Sequence, residues 1–242
     1  MQDKAAIIKD RFDKVFAQTG GTEEMYPQES KLRVSLPLLD GKGQYIFDIK
    51  NAAVDGVVEQ HLDRNDVFVM NQIGVLIGIT EKATGVTRLY PYAPKNDGVN
   101  PSVDPVGFKT DEIDSLYNGI LSWNVDNKVM LAAYPMEKFL KIPRQQGAFV
   151  LDSNDAAVQE GIRPEWKLDD ALSLFMPRYT IAGTRDHKIA INFPAAGLTF
   201  PLSSADYTAE LVLYIDGFLV KGGCEYKGGT GRNPFGDAVG QW

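Results

Sequence analysis

The stretch Tyr117 to Leu151, YNGILSWNVDNKVMLAAYPMEKFLKIPRQQGAFVL, constrains the fold more than any other part of the chain. Gly119 to Val125 alternates, with Leu121, Trp123 and Val125 on one face and Ser122 and Asn124 on the other. A period of two is the mark of a strand with one buried face. Asp126-Asn127 follows, a pair that tolerates the positive φ of a tight hairpin turn. Lys128 to Tyr134 returns with Val129, Leu131 and Ala133 opposing Met130, Ala132 and Tyr134. Pro135 lacks an N–H and ends the ladder. The spacing predicts an antiparallel hairpin.

Strand patterns recur on both sides of it. Leu32 to Pro37 and Gln44 to Ile49 flank Asp40-Gly41-Lys42-Gly43, which reads as a hairpin loop. Asp66 to Thr80 is a long β-rich run interrupted by Gly74 and Gly78, and interior glycines suggest a bulge or a bend. Ala83-Thr84-Gly85 turns it into Val86 to Tyr92. Ala171 to Thr180, Lys188 to Phe193 and Thr199 to Leu202 are further strand candidates. Glu210 to Val220, ELVLYIDGFLV, reads as another hairpin about Asp216-Gly217. Residues 51 to 62 are ambiguous, with helical spacing but residues of low helix propensity.

One helical pattern stands out. In residues 3 to 18, Ala5, Ile8, Phe12, Val15 and Phe16 form an apolar stripe, with Asp3 at the start and Gly20-Gly21 at the end. The stripe suits a helix packed on its own domain or an arm docked on a neighbour. With no alternation of strand and helix patterns, the expected fold is mainly β, an antiparallel β-sandwich with one N-terminal amphipathic helix. The division expected is residues 1–30 as helix and arm, 31–221 as the sandwich, and 222–242 as a Gly-rich C-terminal tail. That tail carries seven glycines, yet also Tyr226, Phe235 and Trp242. Ala93 to Thr110, rich in Pro, Gly, Asn and Asp, reads as a long surface loop.

The bulk properties exclude several classes. A net charge of −7 disfavours a protein whose main task is holding nucleic acid, because phosphate contacts need concentrated positive charge. One cysteine, Cys224, allows no intrachain disulfide. No run is long enough to span a bilayer, so no membrane partner is expected, and the residues near the start lack a signal-peptide core.

Chemistry-bearing patterns are equally sparse. His61, His187 and Cys224 show no metal-ligand spacing, and no cofactor or metal is expected. Asp152-Ser153-Asn154-Asp155 lacks the glycine and distant glutamate of a calcium loop. His187, in Gly183-Thr184-Arg185-Asp186-His187-Lys188, reads as part of an exposed turn, and no Gly-x-Ser-x-Gly elbow accompanies it. Gly228-Gly229-Thr230-Gly231 lacks the Lys-Ser/Thr of a phosphate loop. Asp63/Asp66, Asp111/Glu112/Asp114 and Asp169/Asp170 are paired carboxylates of the kind glycosidases use, but in an acidic chain such clusters are usually solvated surface. No catalytic residue is therefore expected, and the chain reads as not an enzyme.

The corner Met136-Glu137-Lys138-Phe139-Leu140-Lys141-Ile142-Pro143-Arg144 mixes three basic residues with aromatic and aliphatic ones. It suits an ordinary turn with a charged outer face, the favoured reading, or a contact in which Arg144 pairs with a neighbour's carboxylate while Phe139 and Met136 fill a pocket; weak contact with packaged nucleic acid is a third reading, least favoured by the negative net charge. In texture, Asp66-Val67-Phe68-Val69, the central stretch and ELVLYIDGFLV resemble virion structural proteins of bacteriophages, in particular jelly-roll-type capsid or capsid-associated proteins, over roughly residues 31 to 220. The resemblance implies a jelly-roll-like sandwich, symmetric self-assembly and no catalysis. Its partners would be copies of the chain and other virion proteins, and its location the virion after synthesis in the host cytoplasm. Candidate subunit-interface residues are Ile8, Phe12, Tyr134, Met136, Phe139, Arg144, Phe235 and Trp242. An alternative is a carbohydrate- or receptor-binding sandwich that stacks ligands on Trp123, Trp166, Tyr90 or Tyr92.

Overall fold

The structure, a computed structural model, describes residues 4–19, 25–39, 41–49, 62–91, 115–141, 168–175, 179–193 and 207–225. The described chain is mainly β, with two antiparallel sheets and one N-terminal helix. In order, the elements are α1 (Lys4–Gln18), β1 (Gln28–Pro37), β2 (Gln44–Asp48), β3 (Val67–Glu81), β4 (Thr87–Tyr90), β5 (Ile120–Val125), β6 (Lys128–Pro135), β7 (Ser173–Leu174), β8 (Thr180–Ala182), β9 (His187–Asn192) and β10 (Tyr207–Val220). A first sheet runs β1-β10-β3-β4, with β7 and β8 also pairing with β3; a second runs β2-β9-β5-β6.

Alternation explains the second sheet. Tyr45 and Phe47 of β2, Leu121, Trp123 and Val125 of β5, and Ile189 and Ile191 of β9 all point inward. They meet Leu32 and Val34 of β1, Phe68, Met70, Ile73, Val75 and Ile77 of β3, and Leu211, Leu213 and Ile215 of β10 in one core. The predicted β5–β6 hairpin forms, and its turn residue Asp126 takes φ 52°. In β6 the simple alternation fails. Two register shifts each give β6 one residue more than β5, so Met130, Leu131 and Tyr134 all lean on the core. Bulges of this kind are common at sheet edges, where they spoil the pairing surface.

The first sheet is covered on both faces. Behind the core side, Val67, Val69, Phe218 and Val220 lie under Ile8, Phe12 and Val15 of α1. Further along, Leu76, Val212 and Tyr214 lie under the helical turn Leu168–Ala171 and Leu172. Burial on both sides is why β3 reads as a nearly unbroken apolar run.

Several expectations are corrected. β1 and β2 do not form a hairpin; they belong to different sheets. The N–H of Leu38 continues along β10 to the carbonyl of Ala209, and the Tyr45 hydroxyl bonds both backbone groups of Leu39, so the chain crosses the sandwich. Asp216-Gly217 is no turn either. β10 is one strand of 14 residues, and the register shifts at this dipeptide. A side chain at Gly217 would collide with the carbonyl oxygen of Val69, which is why glycine stands there. The opposing bulge residue is Asn71 rather than Gly74 or Gly78: Met70 pairs with Gly217 and Gln72 with Asp216, leaving Asn71 over. Gly74 makes room for Leu172, whose Cδ2 sits 2.7 Å from where a Cβ would be. Ala171 to Thr180 is no continuous strand, but a helical turn followed by the short strands β7 and β8. Thr199 to Leu202, the 93–110 loop and the tail beyond residue 225 lie outside the described residues.

The bulge anchors the helix. Arg11 is only 5% exposed, and its Nη1 and Nη2 donate to the carbonyls of Asn71 and Phe175, both at 2.9 Å. Burial pushes the guanidinium pKa down, though Asp10 opposes the shift. Charge-assisted hydrogen bonds are the stronger kind, and losing buried ones leaves carbonyls unpaired. Arg11→Met is therefore expected to cost about 2 kcal/mol in urea unfolding and to speed amide exchange in α1 selectively. A change within about 0.5 kcal/mol, the range of ordinary surface substitutions, would mean the guanidinium is not an anchor.

Candidate functional site

Among the described residues, His187, Asp66 and Cys224 bond to backbone groups. His187 starts β9 and is 1% exposed, which corrects its reading as part of an exposed turn; the turn proper is Gly183–Arg185. Its parity with Ile189 and Ile191 sends it inward, where Nε2 lies 3.1 Å from the N–H and 3.2 Å from the carbonyl of Ala182. The Trp123 ring lies 5.8 Å away. Burial lowers the His187 pKa to about 4, against the smaller upward pull of the Ala182 hydrogen bond and of Asp126. Asp66, from the first carboxylate pair, accepts the Gly222 N–H on Oδ1 at 2.8 Å. Its backbone carbonyl accepts the Gly183 N–H at 2.9 Å and the Cys224 thiol at 3.1 Å. Among the described residues, no group of three or more His, Cys, Asp or Glu could hold a metal ion. Asp111, Glu112, Asp114, His61 and the side chain of Asp169 lie outside those residues.

The expected contact residues divide into three sets. Ile8 and Phe12 are half-buried against the chain's own first sheet, with the Phe12 ring edge-on to Phe218 at 5.2 Å. Met136 and Phe139 are fully buried in the core, three apart on one side of the 3₁₀ turn Met136–Phe139, while Glu137 and Lys138 face out. Neither apolar side chain can fill a neighbour's pocket, so that part of the expected corner contact is corrected. Tyr134 is half-buried over Phe139 and Phe175, with ring centroids 5.5 and 5.3 Å away, and Lys138 Nζ lies 4.9 Å from its ring. Burial raises the pKa of its phenol. Arg144, Phe235 and Trp242 lie outside the described residues.

Two exposed features were not singled out from sequence. Tyr26 is 52% exposed and packs edge-on to Phe12 and Phe16 at 5.7 and 5.3 Å, forming an aromatic cluster at the surface. On the outer face of the second sheet, Ile46, Ile120 and Val129 are exposed. The signal for Ile46 was present in Tyr45-Ile46-Phe47, where a β-branched residue holds the outward position between two aromatics. Of the aromatics considered for ligand stacking, Trp123 is 1% exposed and Tyr90 half-buried, and Tyr92 and Trp166 lie outside the described residues. Comparison with known proteins finds no matching family model, no matching curated protein and no matching solved structure.

Proposed function

We propose that the chain is a non-enzymatic structural protein of a bacteriophage particle, a jelly-roll-like sandwich that self-assembles as a capsid or capsid-decorating component. The strand order carries this reading. With β4 and β7 set aside as additions to the edge of β3, the first sheet is β1-β10-β3-β8 and the second β2-β9-β5-β6. Apart from the β5–β6 hairpin, every step along these eight strands changes sheet, a crossing pattern that supports the winding of two Greek keys in a jelly roll. Viral capsid proteins use that architecture, as do lectins and cupins.

The side-chain inventory favours the structural role among these. His187, Asp66 and Cys224 hold backbone, and the net charge of −7 suits a component that does not line a genome. The partners are copies of the chain and other virion proteins, joined after synthesis in the host cytoplasm, without direct nucleic-acid contact. The lectin-like alternative loses Trp123 as a stacking surface, since its ring is enclosed. Size-exclusion chromatography with light scattering, run from dilute to concentrated protein, tests the reading. Discrete higher-order species are expected. A monomer at every concentration, together with absence of the protein from purified virions, overturns it.

A further inference from the structure

We propose that the corner between β8 and β9 is an acid-sensitive latch, closed while His187 is neutral and released when His187 takes up a proton. The corner matters because it carries the chain from the first sheet to the second. It is held from several sides: Gly183 N–H to Asp66 O at 2.9 Å, Arg185 N–H to Ala182 O at 3.0 Å, and a reciprocal pair with the β5–β6 turn. In that pair Asp126 N–H reaches Asp186 O at 2.7 Å, and Asp186 N–H reaches Asp126 Oδ1 at 3.0 Å.

His187 sits beneath these bonds. Its Nδ1 is buried with no hydrogen-bond partner among the described residues. The surrounding wall is Ile49, Leu62, Ile181, Ala182, Gly183 and Arg185, and it leaves no room for a water molecule. A neutral ring protonated on Nδ1 accepts the Ala182 N–H at Nε2. The charged ring carries a proton on both nitrogens. Nε2 then gives up the Ala182 N–H and can donate only to the Ala182 carbonyl, 3.2 Å away, while Nδ1–H has no acceptor among the described residues and no room for a water. A buried cation with one of its two N–H groups unpaired and no water beside it is expensive, so the corner opens to hydrate it.

The neighbouring charges do not supply the missing partner. The Ala182 hydrogen bond, Asp126 and Asp186 favour the charged ring and Arg185 opposes it, with burial outweighing them. Asp126 is engaged with the Asp186 N–H, and Asp186 with Lys188 at 3.2 Å. From the segment before β3, Asp63 and Arg64 turn backbone carbonyls toward Gly183. A pKa depressed on closing, from 6.5 to about 4, means the open state binds the proton more tightly. The closed form's advantage is whole above about pH 6.5 and is lost as pH falls from there to about 4. The difference, 6.5 − 4 = 2.5, lowers the closed-to-open ratio by up to about 300-fold.

The test is an NMR titration of the full chain carrying His61→Asn, which leaves His187 as the one histidine. The imidazole is expected to titrate near pH 4. Across the same range, amides at 182–187 and 126 are expected to exchange faster, relative to their intrinsic rates, than those in the middle of β3 and β10. His187→Gln can keep a polar contact to Ala182 without titrating and is expected to remove the pH-dependent part. A midpoint near 6.5 with unchanged exchange, or the same acid-induced exchange in His187→Gln, overturns the latch. Should that variant fail to fold, the titration midpoint and exchange profile of the histidine-bearing chain decide alone.

Discussion

Trp123→Ala is expected to lower the unfolding free energy by about 3–5 kcal/mol, the cost of emptying a buried indole site. Among the described residues Trp123 is the largest of the fully buried side chains, and it joins the two sheets. Its own strand, β5, belongs to the second sheet, while Tyr179, edge-on to it with centroids 4.9 Å apart, immediately precedes β8 of the first. Removing the indole therefore opens a void between the sheets rather than at their margin. Its Nε1 has no hydrogen-bond partner among the described residues, so Trp123→Phe gives up packing alone and is expected to cost less than the alanine variant. Urea unfolding gives both numbers. A change within about 0.5 kcal/mol for Trp123→Ala is what an exposed ligand-stacking ring would show, and would contradict the enclosed position.

Gly217→Ala is expected to cost about 3 kcal/mol, for a different reason. The added Cβ meets the Val69 carbonyl oxygen and approaches Phe68 Cε1 at 2.8 Å, where the two longest strands pair. The carbonyl is backbone and cannot rotate aside, so the ladder must part around the Asn71 bulge. That bulge also supplies the carbonyl on which Arg11 docks α1, so helix and sheet should loosen together. Gly78→Ala is the control. Its Cβ would meet the Val212 side chain at 3.0 Å, which can give way, and a cost within about 1 kcal/mol is expected. Equal costs for the two variants would contradict the assigned role of Gly217.

Legibility from sequence followed the range of the interaction. The β5–β6 hairpin, the strand content of β3 and the stripe of α1 are local patterns, and each lies where its period puts it. Sheet membership is not local. Asp40 to Gly43 looks the same whether it joins paired strands or crosses between sheets, and the deciding contacts, Leu38 to Ala209 and Tyr45 to Leu39, join it to β10 and to β2. Asp216-Gly217 reads as a hairpin turn by its residue types, but only Phe218 to Val220 follow it before Lys221-Gly222, too few to return as a strand, and the structure makes it a bulge. The charged neighbours Arg185, Asp186 and Lys188 make His187 read as surface, while its parity with Ile189 and Ile191 points inward. The corner around Met136 and Phe139 failed for a similar reason. Its basic residues suggested a surface, but a 3₁₀ turn sends residues three apart to the same side, and that side is the core.

We propose that the sandwich is a self-assembling structural unit, with His187, Asp66 and Cys224 serving to hold the fold. Negative-stain electron microscopy of the purified full chain tests it most directly. Rings, discrete symmetric oligomers or shells are the predicted result. A uniform field of single particles at every concentration tried would contradict it.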